Sequence, residues 1–168
     1  MAKTQLATAG IASAVVAALT VATLATPGSG TTGVIVARAA FADDVNVKVS
    51  IKDDLRGRET VYVRNAEDTV MQQIIFAPGG HSGWHSHPGP AVVLIKSGAL
   101  TFYQEEGGKC LSRTYSAGQA LVDPGQGHPH FAQNTGGGDT EVWVTYFDVP
   151  AGGSPRIDIP VPPTACAF

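Results

Sequence analysis

Apolar residues recur at every second position in several stretches of this chain, and that period of two is the feature that most restricts its fold. Val45, Val47, Val49 and Ile51 alternate with Asn46, Lys48, Ser50 and Lys52. Successive side chains of an extended strand point to opposite faces, so such a pattern buries one face and wets the other. Val61 and Val63 continue it between Thr60, Tyr62 and Arg64. Further strands are predicted over residues 34–38, 70–77, 91–96, 99–104, 119–122 and 141–149. Turn signals separate most of them: Pro78-Gly79-Gly80, Ser97-Gly98, Gly107-Gly108, Pro124-Gly125 and Gly136-Gly137-Gly138. Beyond residue 25 no capped helical period occurs, so the chain reads as all-β, a sandwich or barrel. The 20 glycines and 11 prolines suit many short elements and tight turns. With 43% apolar and only 15% charged residues, an ordinary disordered chain is excluded. The net charge is −3 with no basic cluster, so nucleic acid is not an expected partner.

Residues 1–25 differ from the rest. Lys3 is their only charge, and an Ala/Val/Leu/Thr stretch follows from Ala7 to Ala25. A basic start, an apolar stretch and small residues at its end describe a secretory signal peptide. The alternative is an uncleaved membrane anchor. Gly10, Ser13 and several threonines leave the stretch weakly apolar for a span of roughly 20 residues, so no stable span is expected after processing. Both Thr23-Leu24-Ala25 and Ala40-Phe41-Ala42 offer cleavage sites, but the second would discard the strand at 34–38. The expected division is a signal peptide at 1–25, a β-barrel at 26–150 and a Pro-rich tail at 151–168 packed on it. The product is secreted or held in the cell envelope.

Two cysteines, Cys110 and Cys166, suit an exported protein and read as one disulfide tying the tail down. Two unrelated thiols are the alternative. Staple and histidines lie on different segments, so the tail and any metal site are expected to be independent.

The five histidines fall in two windows, His81, His85 and His87, then His128 and His130. In His85-Ser86-His87 a strand would turn both imidazoles to one face, where they can reach one ion. His128-Pro129-His130 repeats the spacing. Joined on adjacent strands, the windows would surround a metal with three or four imidazoles. His85, His87 and His130 are the candidate ligands, His128 is a further candidate, and His81 reads as a rim residue in a Gly-rich turn.

These windows resemble the two motifs of the cupin superfamily. The first runs Gly, five residues, His-x-His, three or four residues, Glu, six residues, Gly; here Gly79, His85, His87, Ala91 and Gly98 keep that register. The second runs Gly, five residues, Pro-x-Gly, two residues, His, three residues, Asn; here Gly118, Pro124, Gly127, His130 and Asn134 follow it with one extra residue before Gly127. The match covers Gly79 to Asn134, a third of the chain. It implies a single-domain cupin barrel, a double-stranded β-helix or jelly roll, of the small exported bacterial kind.

Ala91 stands where the resemblance expects a glutamate ligand. That leaves a neutral three-histidine face able to take Fe, Zn, Cu, Ni or Mn, with the harder Mn(II) weakened most. Three carboxylates are on offer as substitutes: Glu105 and Glu106, which read as an exposed hairpin tip, and Asp123, which reads as a turn residue before the motif proline. Trp84, Phe102, Tyr103, Phe131, Trp143 and Tyr146 are expected to fill the barrel or its outer face, with one or two lining a pocket at its mouth.

Three functions fit. One is an exported protein that binds a divalent metal, a small molecule or both. Another is a metal-dependent oxygenase-type enzyme, a dioxygenase-like oxidoreductase acting on a small substrate. The last is a structural barrel whose site has decayed. A homodimer is compatible with each. No Gly-x-Ser-x-Gly nucleophile motif or phosphate-binding glycine loop is present, so no catalytic residue is assigned beyond the ligands.

Overall fold

The computed structural model describes residues 27–54 and 57–166. The expected signal peptide at 1–25 lies outside them. Strands dominate the regular structure of the described residues, as the period of two requires. They form β1 (Ser29–Ala40), β2 (Val47–Asp53), β3 (Gly57–Val63), β4 (Asp68–His81), β5 (His85–Ser86), β6 (Ala91–Ser97), β7 (Ala99–Glu106), β8 (Lys109–Ser116), β9 (Ala120–Asp123), β10 (His130–Gln133), β11 (Thr140–Val149) and β12 (Ile157–Asp158). A short 3-10 turn, Thr164–Cys166, follows.

Two antiparallel layers make a nearly closed barrel. One runs β1-β4-β11-β6-β9; the other runs β12-β5-β10-β7-β8 and meets the first where β10 pairs with β4. Alternation decides which side faces in. Ala91, Val93 and Ile95 of β6 and Val142, Val144 and Tyr146 of β11 are buried, and their neighbours along the strand are more exposed. With Val70, Phe76, Leu100, Phe102, Leu121, Ala132 and Val149 they form one apolar cluster. Each fully buried Val, Ile or Phe there contributes roughly 1.5–3 kcal/mol relative to exposure.

The first alternating run seen in the sequence, β2, pairs only with β3 in a separate two-stranded sheet, burying Ile51, Val61 and Val63. Strand β8 carries no apolar alternation. It is held through its backbone ladder to β7, across a two-residue turn in which Gly107 and Gly108 have φ of 57° and 72°. Positive φ at both central positions suits a turn whose twist matches the flanking strands, and glycine adopts it without strain.

The tail is ordered rather than merely laid on. Cys166 is bonded to Cys110, with Cα atoms 4.9 Å apart. Trp84 and Phe131 are buried against Cys166, with Ile159 and Tyr103 packed around them. Upstream, Arg38 of β1 pairs with Asp68 at 3.1 Å and donates to Gly153 O, and Ala151 N donates to Glu67 at 2.8 Å. Ile157 and Asp158 then pair with Ser86 and His85. The tail and the histidines, expected to be independent because they lie on different segments, are in contact: β12 lies directly on the strand that carries His85.

Candidate metal centre

The antiparallel pairing of β10 with β5 sets His130 opposite His85. Directly opposed residues bring their side chains close together, and the two ring centroids lie 4.1 Å apart. His87 completes the group at 4.9 Å from His85 and 5.0 Å from His130, centroid to centroid. One ligand nitrogen from each of the three falls within 4.8 Å of the others, and all three residues are buried.

Two of the rings are fixed by hydrogen bonds on the side away from the cluster. His85 Nδ1 donates to Gly83 O at 2.9 Å, and His87 Nδ1 donates to Pro155 O at 2.6 Å. A carbonyl oxygen can only accept, so the proton of each neutral ring sits on Nδ1 and the lone pair on Nε2. That is the arrangement by which outer partners orient metal-binding imidazoles. Burial is the largest influence holding His85 well below the usual histidine range, with the neighbouring His130, His87 and Arg156 adding to it. Burial likewise lowers His87, against opposing contributions from Asp123 and the Pro155 carbonyl. Neutral imidazole is the form that binds metal.

Asp123 is 2% exposed, and its Oδ2 lies 3.4 Å from His87 Nε2 and 3.3 Å from His130 Nδ1. Oδ1 accepts from Gly125 N at 3.2 Å. The turn reading of this residue was half of its role: one oxygen makes the turn before Pro124, and the other faces the histidines. In the ladder of β6 with β9, Ala91 pairs with Asp123 itself. Directly paired residues share a face of the sheet. The carboxylate missing at Ala91 is thus offered from the next strand. The signal for it was present: Leu121 and Asp123 are spaced by two and share the inward face of β9.

A cavity of about 660 Å³ adjoins the cluster, lined by His85, His87, His130, Phe102 and Tyr146 among others. Phe102 stacks on His130 at 4.6 Å, and Tyr146 packs on His87 at 4.8 Å while its hydroxyl donates to Gln72 at 3.1 Å. Burial, helped by the Asp123 charge, raises the Tyr146 phenol far above its usual range, so it stays protonated.

Residues 72–147 match the family model described as Cupin domain. The chain carries a cupin domain. Similar solved structures include an oxalate oxidase, 30% identical with a TM-score of 0.43 over 48% of this chain and 41% of that one. The cupin domain of an XRE family transcriptional regulator from Enterobacter cloacae is 18% identical, with a TM-score of 0.44 over 73% of this chain and 99% of that one. A cupin superfamily protein from Desulfitobacterium hafniense is 12% identical, with a TM-score of 0.40 over 64% and 79%. The chain therefore spans well under half of the oxalate oxidase chain. No curated protein matches it.

Within this cupin domain the other two histidines stand apart. His128 lies ahead of β10, its side chain 53% exposed, with Nδ1 donating to Gly125 O at 2.7 Å and Nε2 3.0 Å from Glu59. His81 ends β4, stacks on Phe131 at 5.0 Å and accepts from Gly83 N at 3.2 Å. Glu105 is spent on the tail, accepting from Ala165 N at 3.1 Å. Of the aromatics, Phe102 and Tyr146 line the cavity, Trp84, Phe131 and Tyr103 pack under the tail, and Trp143 donates to Glu141 at 2.8 Å.

Proposed function

We propose that this is an exported protein that binds one divalent metal ion through His85, His87 and His130 and presents it to a small molecule in the adjoining cavity. One observation carries the reading: two buried neutral imidazoles, each locked by a carbonyl with its lone pair inward, converge with a third beside a buried carboxylate. Without an ion, that grouping gathers lone pairs and a negative charge in one dry spot, an arrangement polar burial disfavours. A cation satisfies all of them, so the residues present fit the group.

Asp123 gives the site one negative charge, which lowers the cost of holding a dication away from water. Three nitrogens and one oxygen suit zinc and the first-row ions from manganese to copper. A divalent ion there supplies Lewis acidity and open coordination positions to whatever occupies the cavity. Phe102 and Tyr146 brace the histidine rings, and the apolar walls exclude water from the ligand's body.

The test is elemental analysis of the untagged protein, recovered from the outside of the producing cell. Near-stoichiometric metal in the wild type, absent after chelation and restored by one equivalent, is the expected result. Export with no metal bound or regained would overturn the metal reading, and protein retained in the cytoplasm at full length would overturn the export reading.

A further inference from the structure

The tail segment from Gly152 to Arg156 forms part of the cavity wall, beside the three histidines. Arg38 and Glu67 hold its beginning, and the Pro155 carbonyl is fixed by His87. Arg156 is therefore carried to the cavity on a segment anchored at both sides. Its Nε donates outward to Asp158 at 2.6 Å, and that carboxylate is 56% exposed. The other end of the guanidinium points inward: Nη2 is buried and has no hydrogen-bond acceptor among the described residues. A buried N–H of a charged group without an acceptor is costly and rare in folded proteins. Arg156 is itself among the residues lining a cavity whose other walls are mainly apolar, with Ile74, Phe76, Val93, Leu100, Val142 and Val144 among them.

We infer that the cavity takes a small carboxylic acid with an apolar body, its carboxylate received by the Arg156 guanidinium. The inference rests on the proposed reading of this cavity as the ligand site and adds the class of ligand. A planar carboxylate suits the guanidinium fork. With Nε already committed to Asp158, only one edge of the fork is free, enough for a singly charged head group. A phosphate dianion calls for more donors than the apolar walls supply. The volume of about 660 Å³ falls within the common range for small-molecule sites. The body of the acid would lie along the valines and Phe76, and the positive field of Arg156, which already helps keep His85 and His87 unprotonated, would be neutralised on binding.

The experiment is calorimetric titration of the full exported chain with butyrate and benzoate, with their neutral primary amides, and with inorganic phosphate. Each is run on metal-loaded and on chelator-stripped protein, for the wild type, Arg156→Gln and Arg156→Lys. At least one acid should bind the wild type about tenfold more tightly than its amide, in stripped as well as loaded protein, and phosphate should not compete. Arg156→Gln should erase that preference while leaving the amide's affinity unchanged, and Arg156→Lys should restore part of it. Thermal melting and an intact Cys110–Cys166 bond check that the variants fold, and Arg156→Lys alone carries the test if Arg156→Gln does not. The inference is overturned if no acid binds better than its amide, if the preference survives loss of the guanidinium, or if phosphate binds better than the acids. A preference seen only in loaded protein and unchanged by Arg156→Gln means the metal alone holds the acid. That outcome sinks the role of Arg156 and leaves the metal reading standing. A wild type that holds no metal yet shows the preference does the reverse.

Discussion

The chain writes His-x-His twice, and the two copies meet different fates. In the first, His85 and His87 both reach the cluster; in the second, His130 does and His128 does not. Spacing by two places side chains on one face only while the backbone is extended. Around the first copy, β5 covers His85 and Ser86 and is stitched to β10 on one side and to β12 on the other, while His87, just past it, is held by its bond to Pro155 O. The second copy straddles a boundary. His128 N donates to Gly125 O at 3.1 Å, closing a turn, and β10 begins only at His130. Identical spacing brings two histidines to the cluster where neighbouring segments hold both, and one where a turn takes precedence. A convergent histidine pair is thus encoded by the segments that hold each residue as much as by the histidines themselves.

The sharpest way to break the comparison is to delete one histidine at a time. His85→Ala, His87→Ala and His130→Ala should each weaken metal binding by more than about 100-fold, beyond the loss usual for outer partners of a metal ligand. Competition against a chromogenic chelator reads the affinity directly. Undiminished binding by the His87→Ala protein would remove that residue from the site.

Next in size is the carboxylate. Asp123→Asn keeps shape and the turn bond to Gly125 but removes the charge, and metal affinity should fall about 10- to 100-fold. Adding Ala91→Glu to that variant should recover part of the loss, because residue 91 pairs with residue 123 across the ladder. Recovery should be larger for Mn(II) than for Cu(II), since carboxylate oxygens suit harder ions. Equal affinities in the wild type and Asp123→Asn would show that the carboxylate does not assist the ion.

What could be read in advance follows the same logic. Strands β6 and β11 announce themselves because one face is buried and the other is not, so Val93, Ile95, Val142 and Val144 stand at regular intervals. Strand β8 was silent: Lys109, Cys110, Ser112, Arg113 and Thr114 are all exposed, and its conformation comes from pairing with β7. The two-residue strands β5 and β12 are too short for a period to show. His85, His87 and His130 were legible from motif spacing, whereas Asp123 was hidden by its own turn bond. Arg156 was not legible at all, because its place depends on contacts made by Gly153, Pro155 and Cys166 with distant parts of the chain.

The tail supplies a milder perturbation of the first copy alone. Replacing both cysteines, Cys110→Ser with Cys166→Ser, should cost about 2–4 kcal/mol of stability. Hydrogen exchange should rise at Ile159, whose amide is bonded to Trp84 O at 3.2 Å, before it rises in β6 or β11. Because Pro155 fixes the His87 ring, metal affinity should also fall, by about 10-fold at most. Unchanged exchange in the tail would show that β12 and the apolar packing on Trp84 hold it without the bond.

The smallest effect belongs to the histidine left out. His128 is half exposed and touches Glu59 of β3, away from the cluster, so its role is to tie the second copy's turn to the separate two-stranded sheet. An exposed pair of this kind is worth at most about 1 kcal/mol and often less. His128→Ala should therefore leave metal stoichiometry and affinity at wild-type values and lower stability by no more than that. The informative partner is Glu59→Gln, which should behave the same way if the contact is the only thing His128 provides. Gln126 holds the same junction through its bond to Tyr62 O at 2.9 Å, which is why neither change should detach β3 from the barrel. If instead His128→Ala cost metal as His130→Ala does, the turn would have to open on metal binding. Both histidines of the second copy would then be ligands, and the asymmetry between the two copies would belong to the metal-free protein alone.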